Sequence, residues 1–110
     1  MLDGLQAALL ADGTRAELLA YLHRQDPDEA LVIDEVATRG DAATWGRIPR
    51  TYVRLTEDRA VPLTLQDRFI AEADALTPDN PTDVRSIASG HLRWQIHPAE
   101  IVEILDGLAA

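Results

Sequence analysis

Hydrophobic residues recur at three- and four-residue spacing in the first part of the chain, and this spacing predicts short amphipathic helices. The recurring residues are Leu2, Leu5, Leu9, Leu18, Leu19 and Leu22. Asp12, Gly13 and Thr14 interrupt the pattern. We therefore expect two helices joined by a turn, with the hydroxyl of Thr14 capping the start of the second helix.

A third helix is predicted from the segment Asp26-Pro27-Asp28-Glu29. Proline fits the first helical position, and acidic residues in the first turn stabilise the positive end of the helix dipole. This helix is expected to run to about Val36. Its buried face would consist of Leu31, Val32 and Val36.

From Thr51 onward the pattern changes to β-branched and aromatic residues, which favour strands. The stretch from Thr51 to Pro62, TYVRLTEDRAVP, is interpreted as a strand, an acidic turn that carries Asp58, and a closing proline. A second strand is predicted from Asp83 to Ser89, followed by a tight turn that carries His91. Between the two strands an apolar stripe predicts a helix that packs on the sheet. The stripe consists of Leu65, Phe69, Ile70, Ala73 and Leu76.

The order strand, helix, strand predicts a βαβ unit, in which the two strands are parallel. Parallel strands end at one edge of the sheet, where ligands and catalytic groups collect in α/β proteins. We therefore expect Asp58 and His91 to meet at that edge. His97-Pro98-Ala99-Glu100 predicts a last helix. Its packing face would consist of Ile101, Ile104, Leu105 and Leu108.

Composition and charge exclude several classes of function. The chain has 110 residues, of which 46% are hydrophobic and 26% charged, as is typical of one small folded domain. The net charge is −9, and the ten basic residues are arginines that form no cluster, so we expect no nucleic-acid partner. The sequence contains no cysteine, which excludes disulfides, a thiolate nucleophile and zinc–cysteine sites.

Metal, cofactor and membrane contacts are not expected either. The three histidines, at positions 23, 91 and 97, lack the spacing of a metal-ligand set, and no cofactor motif is present. The amino terminus carries acids where a signal peptide carries basic residues, and no apolar run has membrane-spanning length. We therefore expect a cytoplasmic protein that does not contact a membrane.

An acid beside a histidine is the pair that activates a hydroxyl nucleophile. Asp58 would hold the imidazole of His91 in one tautomer, and His91 would carry the proton. Two alternatives remain open: Asp58 caps its turn or the following helix, and a backbone carbonyl satisfies His91. His97, the residue before Pro98, is expected to cap the last helix. His23 is expected to lie at a polar position near the end of a helix.

Residues Tyr52 to Leu105 resemble the carboxyl-terminal portion of an α/β-hydrolase, in particular the small esterases similar to plant methyl esterases and hydroxynitrile lyases. The stretches that carry the resemblance are TYVRLTEDRAVPLTLQDRFIAEA and TPDNPTDVRSIASGHLRWQIHPAEIVEIL. The family's catalytic acid falls on Asp58 and its catalytic histidine on His91. The helices before Trp45, with YLHRQDPDEA as the most similar piece, resemble the cap of such enzymes. The resemblance therefore implies an α/β fold in which residues 1–46 are cap-like helices and residues 47–110 a βαβα portion of the hydrolase sheet.

The sequence departs from that family at the nucleophile. It contains no Gly-x-Ser-x-Gly elbow, and its two serines are Ser86, inside the second predicted strand, and Ser89, beside His91. The resemblance thus implies a hydrolase of small carboxylic esters whose serine lies outside these 110 residues. Two alternatives are a non-catalytic fragment that acts as an association module, and part of a lyase or an Asp-nucleophile hydrolase on the same fold. The family's neighbouring strand is also absent, so we expect an open sheet edge that favours self-association or pairing with the missing amino-terminal portion.

Overall fold

The computed structural model describes residues 1–28 and 39–110. Its elements in chain order are α1 (Leu2–Leu9), α2 (Arg15–Leu22), a 3₁₀ turn (Trp45–Arg47), β1 (Thr51–Leu55), α3 (Leu63–Leu76), β2 (Asp83–Ile87), α4 (Arg93–Ile96) and α5 (Ala99–Ala109). The protein therefore combines helices with a small two-stranded parallel sheet. No helix in the described ranges is long and apolar enough to cross a membrane.

The predicted third helix, which would end near Val36, falls largely on residues 29–38. Its proposed buried face, Leu31, Val32 and Val36, lies outside the described residues.

Helices α1 and α2 form a hairpin, and the predicted N-cap of α2 is confirmed. The hydroxyl oxygen of Thr14 accepts a hydrogen bond from the Glu17 N–H at 3.2 Å. In return, the Glu17 carboxylate accepts from the Thr14 N–H at 2.8 Å. This reciprocal pair is a capping box, which satisfies two backbone donors that a helix start leaves free. The start of α2 is therefore specified by local sequence.

The hydrophobic core joins this hairpin to the turn that carries His91. Leu10 and Leu18 are fully buried at 0% exposure, and they pack with Leu92, which is 3% exposed. The backbone N–H of Leu92 also donates to the carbonyl of Leu9 at 3.0 Å. Because Leu92 directly follows His91, the best-packed part of the protein holds the carboxyl end of the predicted histidine turn.

Strands β1 and β2 are parallel, as predicted, and pair from Thr51 with Asp83 to Leu55 with Ile87. Their contact continues past the strands, because the N–H of Glu57 donates to the carbonyl of Ser89 at 3.2 Å. Strand β2 was expected to reach Ser89 but ends two residues earlier, where the Ser89 N–H turns back to the Ile87 carbonyl at 3.0 Å. Both chain segments thus leave the sheet side by side at the same edge.

The packing face predicted for α3 is wrong in part. Ile70 and Ala73 are partly buried, as predicted, but Leu65, Phe69 and Leu76 are 37%, 46% and 46% exposed. Leu63 and the buried Gln66 join Ile70 and Ala73 instead. These four positions recur at three- and four-residue spacing, so they form one face of the helix, rotated from the predicted one. That face is the one turned inward, with a buried glutamine at its centre.

The packing face predicted for α5 is wrong in part. Ile101 and Ile104 are partly buried, and α5 lies against β2. Leu105 and Leu108, however, are 57% and 48% exposed. The described chain therefore covers only part of the apolar face of this helix.

One arginine connects the start of β1 to the turn between α3 and β2. The guanidinium of Arg50 lies 4.6 Å above the Trp45 ring centroid, within the range of a cation–π contact. It also donates to three oxygens of the turn, on Thr77, Asn80 and Thr82. The turn between α3 and β2 is therefore held to the amino end of β1 by a long-range side chain.

We expect Leu18→Ala to lower the free energy of unfolding by about 2–5 kcal/mol, because it opens a cavity in the core between the hairpin and the histidine turn. Leu19→Ala is the matched control, since Leu19 is 38% exposed on the same helix. Urea unfolding followed by circular dichroism measures both changes. Equal costs for the two variants would contradict the assignment of the core.

Candidate active site

Asp58 lies in the turn that follows β1, and its side chain is only 3% exposed. Its Oδ1 atom accepts hydrogen bonds from the backbone N–H groups of Ala60 and Val61, at 2.8 and 2.9 Å. Asp58 therefore caps its own turn, as one of the alternatives held. The cap uses one carboxylate oxygen and leaves Oδ2 for a second partner.

That second partner is His91, so the expected contact between the two residues is present. His91 Nδ1 lies 2.9 Å from Asp58 Oδ2. An ionised carboxylate only accepts hydrogen bonds, so opposite it Nδ1 is the nitrogen that carries the proton. Nε2 then holds the free lone pair, and it makes no hydrogen bond within residues 1–28 and 39–110. The ring is 36% exposed, so this nitrogen is open to an incoming group.

The hydrogen-bond partner of the His91 ring is the Asp58 carboxylate and not a backbone carbonyl, so the alternative expectation for this histidine is wrong. Its own carbonyl accepts a hydrogen bond from Trp94 Nε1 at 2.9 Å. Trp94 thereby fixes the backbone of the histidine turn and leaves the ring free to face Asp58.

Gln66 holds the acidic turn, and sequence reasoning missed it. Its side chain is 2% exposed and bonds both backbone groups of Leu55: Oε1 accepts from the N–H and Nε2 donates to the carbonyl, each at 2.9 Å. Nε2 also donates to the Val61 carbonyl at 2.8 Å. The Gln66 amide therefore joins the two ends of the turn that carries Asp58. The available signal was a glutamine at helical spacing from Leu63 and Ile70.

Neither serine of the chain is hydrogen-bonded to His91 in the described structure. Ser86 lies in β2, and the buried Ser89 hydroxyl donates to the Gly90 carbonyl at 2.8 Å. A hydroxyl that is committed to a backbone carbonyl is poorly placed to give its proton to an imidazole. The site thus contains the acid and the base of a hydroxyl-activating set, and its nucleophile is not among these contacts.

A cavity of about 360 Å³ opens beside the acid. Its lining residues are Ala11, Asp12, Thr56, Glu57, Asp58 and Arg59. The turn between α1 and α2 supplies one wall, and the acidic turn supplies the other. A volume of this size suits a small molecule.

Two acidic side chains act on Tyr52, which lies in β1. Burial raises the pKa of the Tyr52 hydroxyl, and the negative charges of Asp58 and Asp67 raise it further. The Asp67 carboxylate accepts two hydrogen bonds from the guanidinium of Arg54, at 2.7 and 2.9 Å. Among the described residues no group of three or more acidic or histidine side chains is placed to hold a metal ion.

A second acid–histidine pair has a different arrangement. His97 Nε2 lies 2.9 Å from Glu17 Oε1, so the expectation that His97 caps the last helix is wrong. Pro98 occupies the cap position, without a side-chain hydrogen bond. A hydrogen bond from the Thr14 backbone N–H and, to a smaller extent, one from His97 hold the pKa of Glu17 below its usual value. Glu17 belongs to the capping box of α2, and the half-exposed His97 lies just before the start of α5. The pair therefore joins α2 to the start of α5.

His23 is the C-cap residue of α2, so its predicted position near the end of a helix is confirmed. It makes no side-chain hydrogen bond to a described residue. Of the three histidines, only His91 therefore presents a buried acid on Nδ1 and an open Nε2.

Comparison with known proteins does not place the chain in a family, because no family model and no curated protein matches it. The catalytic roles of Asp58 and His91 therefore stay predictions. They rest on the geometry of the pair and on the chemistry that this geometry permits.

We expect Gln66→Ala to lower the free energy of unfolding by about 1–3 kcal/mol for the buried groups that it leaves unpaired. Asp67→Asn is the matched control on the next residue, because it removes only a partly exposed ion pair, worth about 0–1 kcal/mol. Thermal and urea unfolding measure the difference. A Gln66→Ala cost no larger than that of Asp67→Asn would show that the amide does not hold the turn.

Proposed function

We propose that this chain is the acid–base portion of a serine-type α/β-hydrolase that acts on small carboxylic esters. The observation that carries the proposal is the contact of 2.9 Å between His91 Nδ1 and Asp58 Oδ2, with Nε2 left open. In this proposal residues 47–110 are the carboxyl-terminal portion of the hydrolase sheet, and residues 1–46 belong to the cap.

The chemistry follows from which nitrogen meets the acid. The lone pair of His91 Nε2 takes the proton of a serine hydroxyl as that oxygen attacks the ester carbonyl. Asp58 stabilises the imidazolium that forms, and the same Nε2 then gives the proton to the leaving alcohol. The backbone donors of Ala60 and Val61 prevent the Asp58 carboxylate from rotating away during this cycle.

The serine of this mechanism comes from polypeptide outside the 110 residues, because Ser86 lies within β2 and the Ser89 hydroxyl is committed to the Gly90 carbonyl. The surface of the chain supports the presence of such additional polypeptide. Its accessible area is 8043 Å². A compact monomer of 12.1 kDa exposes about 6,000 Å². The excess, about 2,000 Å² on this one chain, is more than the roughly 800 Å² per partner that a standard protein–protein interface buries.

The 110-residue chain alone should hydrolyse p-nitrophenyl butyrate no faster than free imidazole does, and a fluorophosphonate probe should label neither Ser86 nor Ser89. A longer chain that includes upstream coding sequence with a Gly-x-Ser-x-Gly elbow should be active. In that chain Asp58→Asn should lower kcat by about 10⁴-fold and His91→Gln by about 10⁶-fold, as loss of these triad members does.

Asp106→Asn is the matched control for this experiment, because Asp106 is exposed on α5 and does not line the cavity beside Asp58. It should leave kcat within about twofold, as expected for a surface change. Full activity of the 110-residue chain, or activity of the longer chain that survives His91→Gln, would overturn the proposal.

A second candidate function is association through an exposed apolar surface. Large hydrophobic side chains of α3 and α5 are exposed, among them Phe69, Leu76 and Leu105. In the described part of the chain each of the two strands pairs on one side only. Open strand edges and apolar patches are the features through which sheets associate. On the open side of β1, the Gln66 amide occupies the backbone N–H and carbonyl of Leu55 only, and Leu55 is the last residue of the strand.

If association is the function, light scattering of the purified chain should give a mass above the 12.1 kDa of one copy. Phe69→Asp should shift the species toward the monomer, because it places a charge in the apolar surface of α3. Glu72→Ala, at an exposed position one turn away, should leave the mass unchanged. A stable monomer at all concentrations would count against this second function.

A further inference from the structure

The turn between α1 and α2 reaches the histidine turn through Asp12. Asp12 Oδ2 accepts a hydrogen bond from the backbone N–H of Gly90 at 2.8 Å. The carbonyl of Asp12 accepts from Arg93 at 2.9 Å. Gly90 directly precedes His91 and Arg93 follows it by two positions, so Asp12 binds the chain on both sides of the histidine.

Gly90 is fitted to this contact. A Cβ atom at position 90 would lie 2.6 Å from Asp12 Oδ1, which is closer than real Cβ contacts allow. The backbone of Gly90 does not have a positive φ, so its conformation alone does not require glycine. The close approach of the Asp12 carboxylate explains why the smallest residue stands immediately before the histidine.

The Asp12 carboxylate is not arranged for stability alone. Its side chain is 19% exposed, and the Oδ1 atom is buried without a hydrogen-bond partner among the described residues. An unpaired buried acceptor costs folding free energy. The nearest charge partner, Arg93 Nε, lies 4.0 Å from Oδ2, which is too long for a hydrogen bond.

The histidine turn depends on this outside support. The acidic turn is fixed from within by Asp58 and by the Gln66 amide. In the histidine turn, the Ser89 hydroxyl is already committed to the Gly90 carbonyl, so it does not hold the Gly90 N–H. Asp12 is the side chain that accepts from this N–H.

We propose that Asp12 is the positioning residue of His91: it anchors the Gly90 N–H and thereby holds the imidazole against Asp58. The proposal rests on the proposed function insofar as it gives His91 a catalytic task. Asp12 does not touch the reacting atoms. It acts through the backbone of Gly90, from a helical hairpin that is remote in sequence.

The test is the ring Nδ1 proton of His91, observed by NMR in the 110-residue chain. In the wild type this proton should give a downfield signal that is protected from exchange with water by the bond to Asp58. Asp12→Ala should accelerate its exchange about 10- to 100-fold, the factor expected for loss of a hydrogen bond to a charged group. Asp12→Asn keeps an oxygen acceptor for the Gly90 N–H and should restore protection to within about threefold of wild type.

Two controls separate positioning from a general loss of stability. Thr14→Ala removes the side-chain cap of α2, so it weakens the same hairpin without removing a contact to the histidine turn, and below its unfolding midpoint it should leave the Nδ1 signal protected. Asp3→Asn removes a 94% exposed carboxylate from α1 and should change nothing. Unchanged exchange in Asp12→Ala, or equal acceleration in Thr14→Ala, would overturn the proposal.

The NMR readout does not need ester hydrolysis, so the two proposals fail separately. In a longer, active chain Asp12→Ala should lower kcat about 10- to 100-fold, with recovery in Asp12→Asn. A protected Nδ1 proton that depends on Asp12, in a longer chain without esterase activity, would refute the hydrolase and retain Asp12 as the positioning residue. Loss of kcat in Asp12→Ala without any change at the Nδ1 proton would refute the positioning role.

Discussion

The burial of the Asp58 carboxylate is the constraint on which the rest of the structure depends. At 3% exposure, an ionised side chain is destabilising unless hydrogen bonds replace the water that it has lost. Ala60, Val61 and His91 supply those bonds, at 2.8 to 2.9 Å. The first two require a tight turn after β1. The bond from His91 requires that β2 run parallel to β1 and leave the sheet beside it. The acid–histidine contact therefore depends on the topology of the sheet.

The two turns of the site are held by side chains from different elements. The Gln66 amide, from α3, joins the ends of the acidic turn at Leu55 and Val61. The Asp12 carboxylate, from the α1–α2 turn, holds the Gly90 N–H next to His91. Each support uses a polar group that is wholly or largely buried. The hairpin is therefore more than a cover, because its core residues and its turn both hold the histidine segment in place.

The two acid–histidine pairs show why residue type alone does not identify a catalytic site. Both contacts measure 2.9 Å, but Asp58 meets Nδ1 of His91, whereas Glu17 meets Nε2 of His97. The first arrangement leaves the nitrogen farther from the backbone free to meet a substrate or nucleophile. The second uses that nitrogen to bind two helical segments together. Burial separates the pairs as well, since the Asp58 side chain is 3% exposed and that of Glu17 is 27% exposed.

Local patterns by themselves determined the capping of α2 by Thr14, the two strands, their parallel pairing, and the approach of Asp58 to His91, because each depends on neighbouring residues or on the rule for βαβ units. The inward face of α3, the exposure of Leu105, the partner of His97 and the supports at Gln66 and Asp12 were decided only by the tertiary structure. The contact from Asp12 to Gly90 spans 78 positions, and that from Glu17 to His97 spans 80. No local periodicity reports contacts of that range, since they depend on how a finished helical hairpin packs against a finished sheet edge.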